Sequence, residues 1–572
     1  MSRTPAAEAR AADPDARWAF AVAVGVMAVT MLPYLFGAML IGAAPSRGWF
    51  SWLGYNLDDS CVYLAWMRQA ADGAFFQRNL FTTEPQIGHQ FSLFFLLLGN
   101  LARLTHLPLL AVYHLARLAL GLAFLHAVWR LIGLLVEDRR ARRAAFLTVC
   151  LSAGLGWLPG QWRHSGINSP VDVWQPEAIT FLCLYQSPLF LVSLLLMVGI
   201  LGGLLVAEER RSWRPALGAA GCGLLLGNIH TYDVITVAAV WGAFLCARAV
   251  RRKRLDVGSV ARAAFVGGVT AISTGYMVHL VRTEDVFARR VAVPTLSPPF
   301  LLYLLGYGLL PVLAAVALFT RRGRRGVGGD GRDALLFLVT WAVVNVAVAY
   351  LPVPFQRKML MGAHLPIAIL AGAGLSLIVA RAPGRWAGAA LWAAALLLGL
   401  TNIRFLLRDA ENFQMNRGQS HIQRPYLYSG EVAALAWLRE HTPADAPIQP
   451  LPWIALSPDG RLGFVDTTAA CFAPGLTGRP VNAGHWGETP QFAQTMGVWV
   501  RFQSPARSAA ERADLLAGAR VKYVVFTQKH EDDLTPESRA FLDEWLRRTP
   551  RGPLRLLPEA SNADADVYEV VR

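Results

Sequence analysis

The sequence predicts a polytopic α-helical membrane protein that ends in a small α/β domain. Of the 572 residues, 54% are hydrophobic and only 16% are charged, whereas a soluble protein carries about 25% charged residues. The apolar residues come in blocks of about 18 or more, which is long enough to span a hydrocarbon core of about 30 Å. Residues 409–572 differ in character, since they hold 17 basic and 20 acidic side chains, against 37 and 19 in residues 1–408.

The apolar part predicts about eleven membrane spans. The first, residues 18–41, is longer than the apolar core of a signal peptide. The other ten blocks cover residues 108–136, 143–160, 179–207, 216–231, 232–250, 259–281, 299–320, 334–351, 359–380 and 386–407. Residues 90–105 are apolar but short, so we interpret them as an interfacial or re-entrant helix on the outer face.

The connections between these blocks predict the orientation of the chain. Every second connection is dense in arginine, as in EDRRARR (137–143), EERRSWR (208–214) and ARAVRRKR (247–254). Basic connections remain in the cytoplasm. We therefore expect a cytoplasmic tail over residues 1–17, a large outer loop over 42–107 and an exoplasmic domain over 409–572, in the plasma (inner) membrane. The net charge of +15 is explained by these connections, and no nucleic-acid partner is expected.

Residues 409–572 predict the α/β domain because helical and strand patterns alternate. EVAALAWLREH is typical of an amphipathic helix and VKYVVFT of a buried strand, and RLLPEASNADADVYEVV suggests closing strands. The domain is either structural or a binding site for an acceptor or glycan. In the second case, the turn-rich stretch TGRPVNAGHWGETP (477–490) is the candidate contact.

The first outer loop carries an acidic pair, Asp58 and Asp59, in YNLDDSCVYLAWMRQAADG (55–73). We expect a helix over 60–72 that lies in the membrane interface, with Tyr63 and Trp66 as interfacial anchors. Adjacent aspartates before a helix have two interpretations. They cap its N-terminus and complement its dipole, or one of them acts as a base.

Arg357 and Lys358 stand in a short outer turn that should be poor in basic residues. They are candidates to bind a phosphate, or they snorkel to lipid headgroups. His364 follows about a turn and a half later and is a candidate to face the same cavity. Arg117 lies inside a span, where an arginine is costly, so we expect either a structural partner or a phosphate.

Several other side chains on the outer side are candidates to line a site. His230 and Asp233 flank an outer turn and either line the site or fasten two helix ends. Glu84, Asp172 and Glu177 are further outer-loop acids. Their spacing is not that of a metal site, so we expect no metal or other cofactor. The six cysteines include no CxxC motif, and a Cys61–Cys471 disulfide is left open.

The layout and four stretches resemble the GT-C superfamily of membrane glycosyltransferases, which includes protein O-mannosyltransferases, aminoarabinose transferases and bacterial family 39-like enzymes. The stretches are the 55–73 segment quoted above, YHLARLALGLAFLHAVWRL (113–131), GNIHTYD (227–233) and PVPFQRKMLMGAHLPIAILAG (352–372). The resemblance implies a hexosyl- or pentosyltransferase that uses a polyprenyl-phosphate sugar and a lipid, glycan or protein acceptor. It also implies that Asp58 or Asp59 is the general base, and we favour Asp58. Some members bind a divalent metal through such outer-loop acids.

Two other functions compete with this interpretation. A transporter or flippase usually places ionisable residues at mid-membrane and contains internal repeats. Here the acids collect in the outer loops instead. A non-catalytic scaffold that displays the outer domain would give the acid pair and the Arg357–Lys358 turn no chemical task. The sequence therefore favours the transferase.

Overall fold

The computed structural model describes residues 15–158, 168–328, 333–418, 422–546 and 553–571. The chain forms two compact units. The first unit comprises Met1–Leu32, Leu115–Met277 and Pro294–Leu406. The second comprises Pro33–His114, Val278–Val293 and Leu407–Arg572. Of the predicted cytoplasmic tail 1–17, residues 1–14 lie outside the described residues.

Most of the apolar helices belong to the first unit. Within the described ranges, six helices are long and apolar enough to cross a membrane: Ala16–Met39, Leu109–Leu135, Pro188–Arg210, Tyr232–Arg252, Val257–Thr283 and Gln356–Val379. Two further apolar pairs are bent, Phe300–Tyr307 with Leu310–Phe319 by 78° and Ala387–Leu398 with Leu400–Gln414 by 53°. Shorter helices occupy the remaining three predicted blocks, Arg139–Leu151, Trp213–Ile229 and Asp333–Val348. The prediction of a polytopic α-helical membrane protein is confirmed.

Small residues bring the helices of the first unit close together. In the His364–Val379 helix, a Cβ atom at Gly374 would collide with the carbonyl oxygen of Leu313. A Cβ atom at Gly372 would collide with the backbone of Ala145. Close backbone approach of this kind is how membrane helices gain packing contacts in the absence of a hydrophobic driving force. The turn that holds Arg357 and Lys358 is a 3-10 helix over Gln356–Leu360, and it leads into this tightly packed helix.

In the second unit, the Leu57–Ala71 helix packs on the Leu93–Thr105 helix. A Cβ atom at Gly99 would collide with the carbonyl oxygen of Met67. Tyr63 is buried and stacks on Phe95, with ring centroids 5.1 Å apart. Trp66 is buried as well. The expectation that Tyr63 and Trp66 are interfacial anchors is therefore wrong, because these rings fill the space between two helices.

The opposite side of the same helix is partly covered. Gln69 is only 9% exposed. Its side-chain amide donates to the carbonyl oxygen of Arg78 at 3.0 Å, and its carbonyl accepts the backbone N–H of Arg78 at 2.9 Å. A loop thus covers Gln69. The helix is a core element of its unit.

The tail residues of the second unit form the predicted α/β structure. Four strands pair in the order Ile448–Pro450, Tyr523–Phe526, Asp566–Val570 and Leu554–Leu556. The first two strands are parallel and the other pairs are antiparallel. The helices of the tail are Ser429–His441, Thr468–Thr477, Phe492–Gln503, Ala509–Ala519 and Pro536–Phe541. Tyr523–Phe526 lies within the predicted buried strand VKYVVFT, and its last three residues are buried.

Two smaller sheets complete the second unit. Trp49–Phe50 pairs with Tyr426–Leu427, which joins the loop over residues 42–107 to the tail. Trp453–Leu456 pairs with Leu462–Asp466 as a hairpin. The short helix Asp285–Ala292 belongs to this unit as well. Residues that are distant in sequence therefore share one compact body, and the acid pair lies within it.

Candidate functional site

The acid pair stands in the first turn of the Leu57–Ala71 helix. The N-cap residue is Asn56, which has a left-handed backbone with φ 59°. Its amide donates to Oδ2 of Asp59 at 2.7 Å. Oδ1 of Asp58 accepts the backbone N–H of Asp59 at 3.0 Å. Neither aspartate is the N-cap residue, but Asp58 accepts a first-turn N–H group. Helix capping and catalysis by this pair both stay predictions.

The environment of Asp58 differs from that of Asp59. Burial raises the pKa of the Asp58 carboxyl above its ordinary value, and the charge of Asp59 raises it further. His485 opposes this rise. A carboxylate with a raised pKa accepts a proton more readily, which is what general base catalysis requires.

His485 is the partner of Asp59. Its Nε2 lies 3.4 Å from Oδ1 of Asp59, and its side chain is only 3% exposed. Nδ1 accepts the backbone N–H groups of Gly487 and Glu488, each at 3.0 Å. Since Nδ1 accepts, the proton of the neutral ring is on Nε2 and faces Asp59. The exposed ring of Trp486 stacks on His485, with centroids 5.9 Å apart.

His485 belongs to the stretch 477–490, which the sequence marked only as turn-rich and aromatic. The signal that singles it out is GHWGE, in which a histidine is followed by a tight turn. A turn of this kind offers successive backbone N–H groups to a side chain just before it. Sequence alone does not place this turn beside the acid pair, because the contact joins residues from distant parts of the chain.

The Asp285–Ala292 helix adds two cations that the sequence analysis did not single out. Nε of Arg290 lies 2.6 Å from Oε1 of Glu488, and its guanidinium lies 4.9 Å from the centre of the Trp66 ring. Nη1 of Arg289 lies 3.1 Å from Oε1 of Glu84. Glu84 is therefore engaged in a surface ion pair. Arg290 brings a positive charge to the turn that carries His485.

A second cluster, the cation cluster, lies in the first unit and consists of Arg357, Lys358, Glu177 and His230. The guanidinium of Arg357 lies 5.2 Å from the centre of the Trp174 ring. The ammonium of Lys358 lies 4.9 Å from the centre of the Tyr232 ring. Aromatic faces hold cations at these distances. The two cations are thus positioned by neighbouring side chains as well as by the turn that carries them.

Glu177 is the acid of the cation cluster. Burial raises the pKa of its carboxyl, while the charge of Arg357, and after it those of Lys358 and His230, lower that pKa. The structure therefore brings together four of the residues that the sequence selected. An anionic ligand at this place would compete with Glu177 for the same two cations.

His230 also bonds to Asp233. Its Nδ1 lies 2.9 Å from Oδ2 of Asp233, and the hydroxyl of Ser193 donates to the same oxygen. Asp233 has no exposed surface. These contacts match the alternative in which the pair fastens helix ends, and a role in lining the site remains a prediction.

Asp172 is a buried carboxylate held by backbone groups. Its Oδ2 accepts the N–H groups of Gly154 and Gly156, each at 3.0 Å. Burial raises its pKa to about 6, although hydrogen bonds from Thr401 and the two glycines act in the opposite direction. Its other oxygen, Oδ1, is buried without a hydrogen-bond partner. Asp172 is thus poised to titrate.

His364 and Arg117 have internal partners in the first unit. His364 is 1% exposed, and its ring nitrogens lie 2.8 Å from the Thr180 hydroxyl and 3.2 Å from the Ser152 hydroxyl. Arg117 has no exposed surface and donates to Leu184 O at 2.8 Å and to Thr30 Oγ1 at 3.0 Å. These contacts match the structural alternative for Arg117. Phosphate binding by Arg117 and site lining by His364 stay predictions.

No group of three or more His, Cys, Asp or Glu side chains that could hold a metal ion occurs among the described residues. The acid pair has one imidazole partner, and Glu488 turns toward Arg290 instead. The chemistry available from these residues is proton transfer at the acid pair and anion binding at the cation cluster.

The fold of this chain is similar to that of a solved oligosaccharyltransferase. The Archaeoglobus fulgidus oligosaccharyltransferase, tethered to an acceptor peptide containing the NVT sequon, matches with a TM-score of 0.50 and 14% identity, over 96% of this chain and 74% of its own. ArnT from Cupriavidus metallidurans bound to undecaprenyl phosphate matches with a TM-score of 0.49 and 14% identity, over 95% and 97% of the two chains. Archaeoglobus fulgidus AglB, in complex with an inhibitory peptide and a dolichol-phosphate, matches with a TM-score of 0.47 and 14% identity, over 96% of this chain and 74% of its own.

No family model and no curated protein matches this chain. At 14% identity, the structural likeness establishes the fold alone. The expected GT-C fold is therefore confirmed, while the narrower likeness to family 39 and the protein O-mannosyltransferases stays a prediction.

Proposed function

We propose that the protein is an integral membrane glycosyltransferase that moves a sugar from a polyprenyl-phosphate donor to an acceptor hydroxyl on the outer face of the membrane. The observation that carries this proposal is the acid pair, in which Asp59 faces His485 while Asp58 has a raised pKa. Two adjacent carboxylates in different environments favour one that stays ionised and one that accepts a proton. Asp58 is then the general base.

The proposed reaction has one proton transfer and one displacement. Asp58 removes the proton of the acceptor hydroxyl, and the acceptor oxygen forms a bond to the anomeric carbon. The bond between that carbon and the donor phosphate oxygen breaks, and the lipid phosphate leaves with the bonding electrons. The phosphate gains negative charge in this step. Arg357 and Lys358 supply the cations that stabilise it.

The donor class is supported by the layout of the chain. Charge alternation in the connections predicts that the acid pair faces outward. Nucleotide sugars do not cross membranes, so an outward-facing transferase needs a sugar already carried by a lipid. The acceptor is a lipid, a glycan or a protein, and the sugar is a hexose or a pentose. The shared fold with an oligosaccharyltransferase supports glycosyl transfer as an analogy.

The stretch 477–490 supports a role for the tail in acceptor binding. His485 comes from this stretch, and the exposed Trp486 stacks on it. An exposed aromatic ring beside a base is suited to hold a sugar or a peptide by stacking. In this proposal, the tail domain contributes residues to the site and is not only a structural addition.

The test compares purified wild-type protein with Asp58→Asn and Asp59→Asn. Each protein is incubated with a panel of radiolabelled polyprenyl-phosphate sugars, together with lipid and cell-envelope extracts. Released lipid phosphate and labelled acceptor are measured. The matched control is Asp532→Asn, which alters an exposed acid of the tail. We expect turnover in wild type and control, and its loss in Asp58→Asn.

The same experiment separates the rival functions. A transporter or flippase would move labelled lipid across a proteoliposome bilayer without releasing lipid phosphate. A scaffold would do neither. Wild-type protein that is monodisperse but turns over none of the panel would contradict the transferase. Equal turnover in wild type, Asp58→Asn and Asp59→Asn would move the base to another acid, with Glu84 and Asp172 tested next.

A further inference from the structure

Two cysteines from distant parts of the sequence meet in the second unit. Cys61 lies in the Leu57–Ala71 helix and Cys471 in the Thr468–Thr477 helix. Neither side chain has exposed surface. Both cysteines are free in the structure, and each thiol acts on the pKa of the other. The two sulfur atoms are therefore neighbours in the interior.

The contact between these two helices is held along their length. Nε of Arg68 donates to the carbonyl oxygen of Gly475 at 3.0 Å. A Cβ atom at Gly475 would collide with the side chain of Leu64. Near the ends of both helices, Arg439 donates to Asp72 at 2.6 Å. The position of one sulfur relative to the other is thus fixed by backbone packing and ion pairing.

We propose that Cys61 and Cys471 form a structural disulfide when the chain folds in an oxidising compartment. This inference rests on the outward placement of the first loop and the tail in the proposed function. Disulfides persist in such compartments and are rare in the cytoplasm. The bond would join the helix that carries the acid pair to the tail, three residues beyond Asp58.

The reaction that forms the bond is thiol–disulfide exchange with an oxidised dithiol protein. The thiolate of one cysteine attacks the donor disulfide, which gives a mixed disulfide and releases one donor thiolate. The second cysteine, as its thiolate, then displaces the other donor sulfur. Two protein thiols and one donor disulfide become one protein disulfide and one donor dithiol. Because both sulfurs are buried in the folded unit, the exchange precedes the packing of the two helices.

The other four cysteines provide internal references. Cys150, Cys183, Cys222 and Cys246 all lie in helices of the first unit. Cys183 directs its thiol to the carbonyl oxygen of Pro176 at 3.0 Å. These four should remain reduced in the same preparation. A simple count of reactive thiols therefore reports on the Cys61–Cys471 pair.

The experiment counts alkylated cysteines by intact-protein mass spectrometry. Membranes are quenched with an alkylating reagent at lysis and the protein is denatured without reductant. Of the six cysteines, we expect four labelled without reduction and six after it. Cys61→Ser and Cys471→Ser should each show all five remaining thiols. The control Cys150→Ser should show three before reduction and five after it.

Peptide mapping completes the test. A cross-linked peptide that contains Cys61 and Cys471 should appear without reductant and disappear with it. Six labelled cysteines in unreduced wild type, or a bond mapped to any other pair, would overturn the inference. Thiol counting does not depend on turnover. A disulfide in a protein without transferase activity would support this inference and contradict the proposed function. Transferase activity in a protein without the disulfide would support the proposed function and contradict this inference.

Discussion

Nε2 of His485 lies 3.4 Å from Oδ1 of Asp59, while Nδ1 of the same ring accepts two backbone N–H groups. This relationship gives the two adjacent aspartates different environments. Asp59 has an imidazole donor and the amide of Asn56 as neighbours. Asp58 has a raised pKa and accepts the backbone N–H of Asp59. The pair therefore divides into a positioned carboxylate and a carboxylate suited to accept a proton.

The first prediction concerns how much kcat falls in Asp58→Asn and in Asp59→Asn. Asp58→Asn removes the proposed base and should lower kcat about 100-fold or more, which is the usual contribution of a general base. Asp59→Asn keeps the base and should cost less. Initial rates with saturating donor measure both. A larger loss in Asp59→Asn would exchange the two assignments, and circular dichroism of each variant controls for folding.

The second prediction concerns the pH dependence of turnover. Since the base must be ionised, activity rises with pH through the pKa of Asp58. The charge of Asp59 raises that pKa. Asp59→Asn should therefore move the acidic limb of kcat/KM to lower pH. His485 lowers the pKa of Asp58, so His485→Gln should move the limb to higher pH.

The measurement is kcat/KM across the acidic range for wild type and both variants. The two shifts are informative because they have opposite directions. General destabilisation would move the acidic limb of kcat/KM in the same direction in both variants. His530→Gln serves as a matched control, since His530 pairs with Asp564 elsewhere in the tail. An unchanged limb in both variants would exclude Asp58 as the titrating group.

The third prediction concerns the cation cluster. Arg357→Gln and Lys358→Gln each remove one charge from the outer turn and should raise KM for the polyprenyl-phosphate donor. The effect of either change should shrink at high salt if the phosphate is bound by charge. Arg385→Gln, in the predicted inner connection 381–385, is the matched control and should leave KM unchanged. Equal effects from all three would indicate ordinary headgroup binding.

Removal of Glu177 gives a further check on the same cluster. The charges of Arg357 and Lys358 act on the Glu177 carboxylate. An incoming phosphate therefore competes with this carboxylate for the two cations. Glu177→Gln should tighten binding of the lipid-phosphate product. Product inhibition by polyprenyl phosphate measures this directly. Weaker inhibition would place Glu177 among the groups that support phosphate binding.

The sequence was sufficient to predict the membrane class, because the patterns that predict it are local. Long apolar blocks and arginine-rich connections are local patterns. So is the acidic first turn at Asp58 and Asp59. The turn with Arg357 and Lys358 departs from a local charge rule, and the structure places these two cations with Glu177 and His230.

The parts that the sequence did not predict depend on contacts between distant segments. His485 and Arg290 reach the acid-pair region only through folding of the second unit. Amphipathic periodicity assigned the Leu57–Ala71 helix a membrane-facing side. Tertiary packing against Phe95 and the Arg78 backbone buries it instead. A helical pattern specifies which residues share a face, but not what covers that face.

The last prediction concerns stability of the tail. Arg424 is 8% exposed and donates to Glu431 at 2.9 Å and to Asp466 at 3.0 Å, with its guanidinium 4.0 Å from the centre of the Trp453 ring. Arg424→Met should be strongly destabilising, by about 3–5 kcal/mol, because it leaves two buried carboxylates without their cation. Arg461→Met is the matched control, since the Arg461 side chain is 87% exposed, and it should cost little.

The pH dependence of this loss has a definite sign. Burial raises the pKa of Glu431 and Arg424 lowers it, so Arg424→Met raises that pKa further. The folded variant then binds a proton at Glu431 more tightly than the unfolded chain does, and its stability falls as pH rises above the unfolded pKa. The deficit of Arg424→Met relative to wild type should therefore be smaller at pH of about 5 than at about 8. Thermal unfolding in detergent at the two pH values measures it, and a deficit independent of pH would indicate lost packing on Trp453 as the cause.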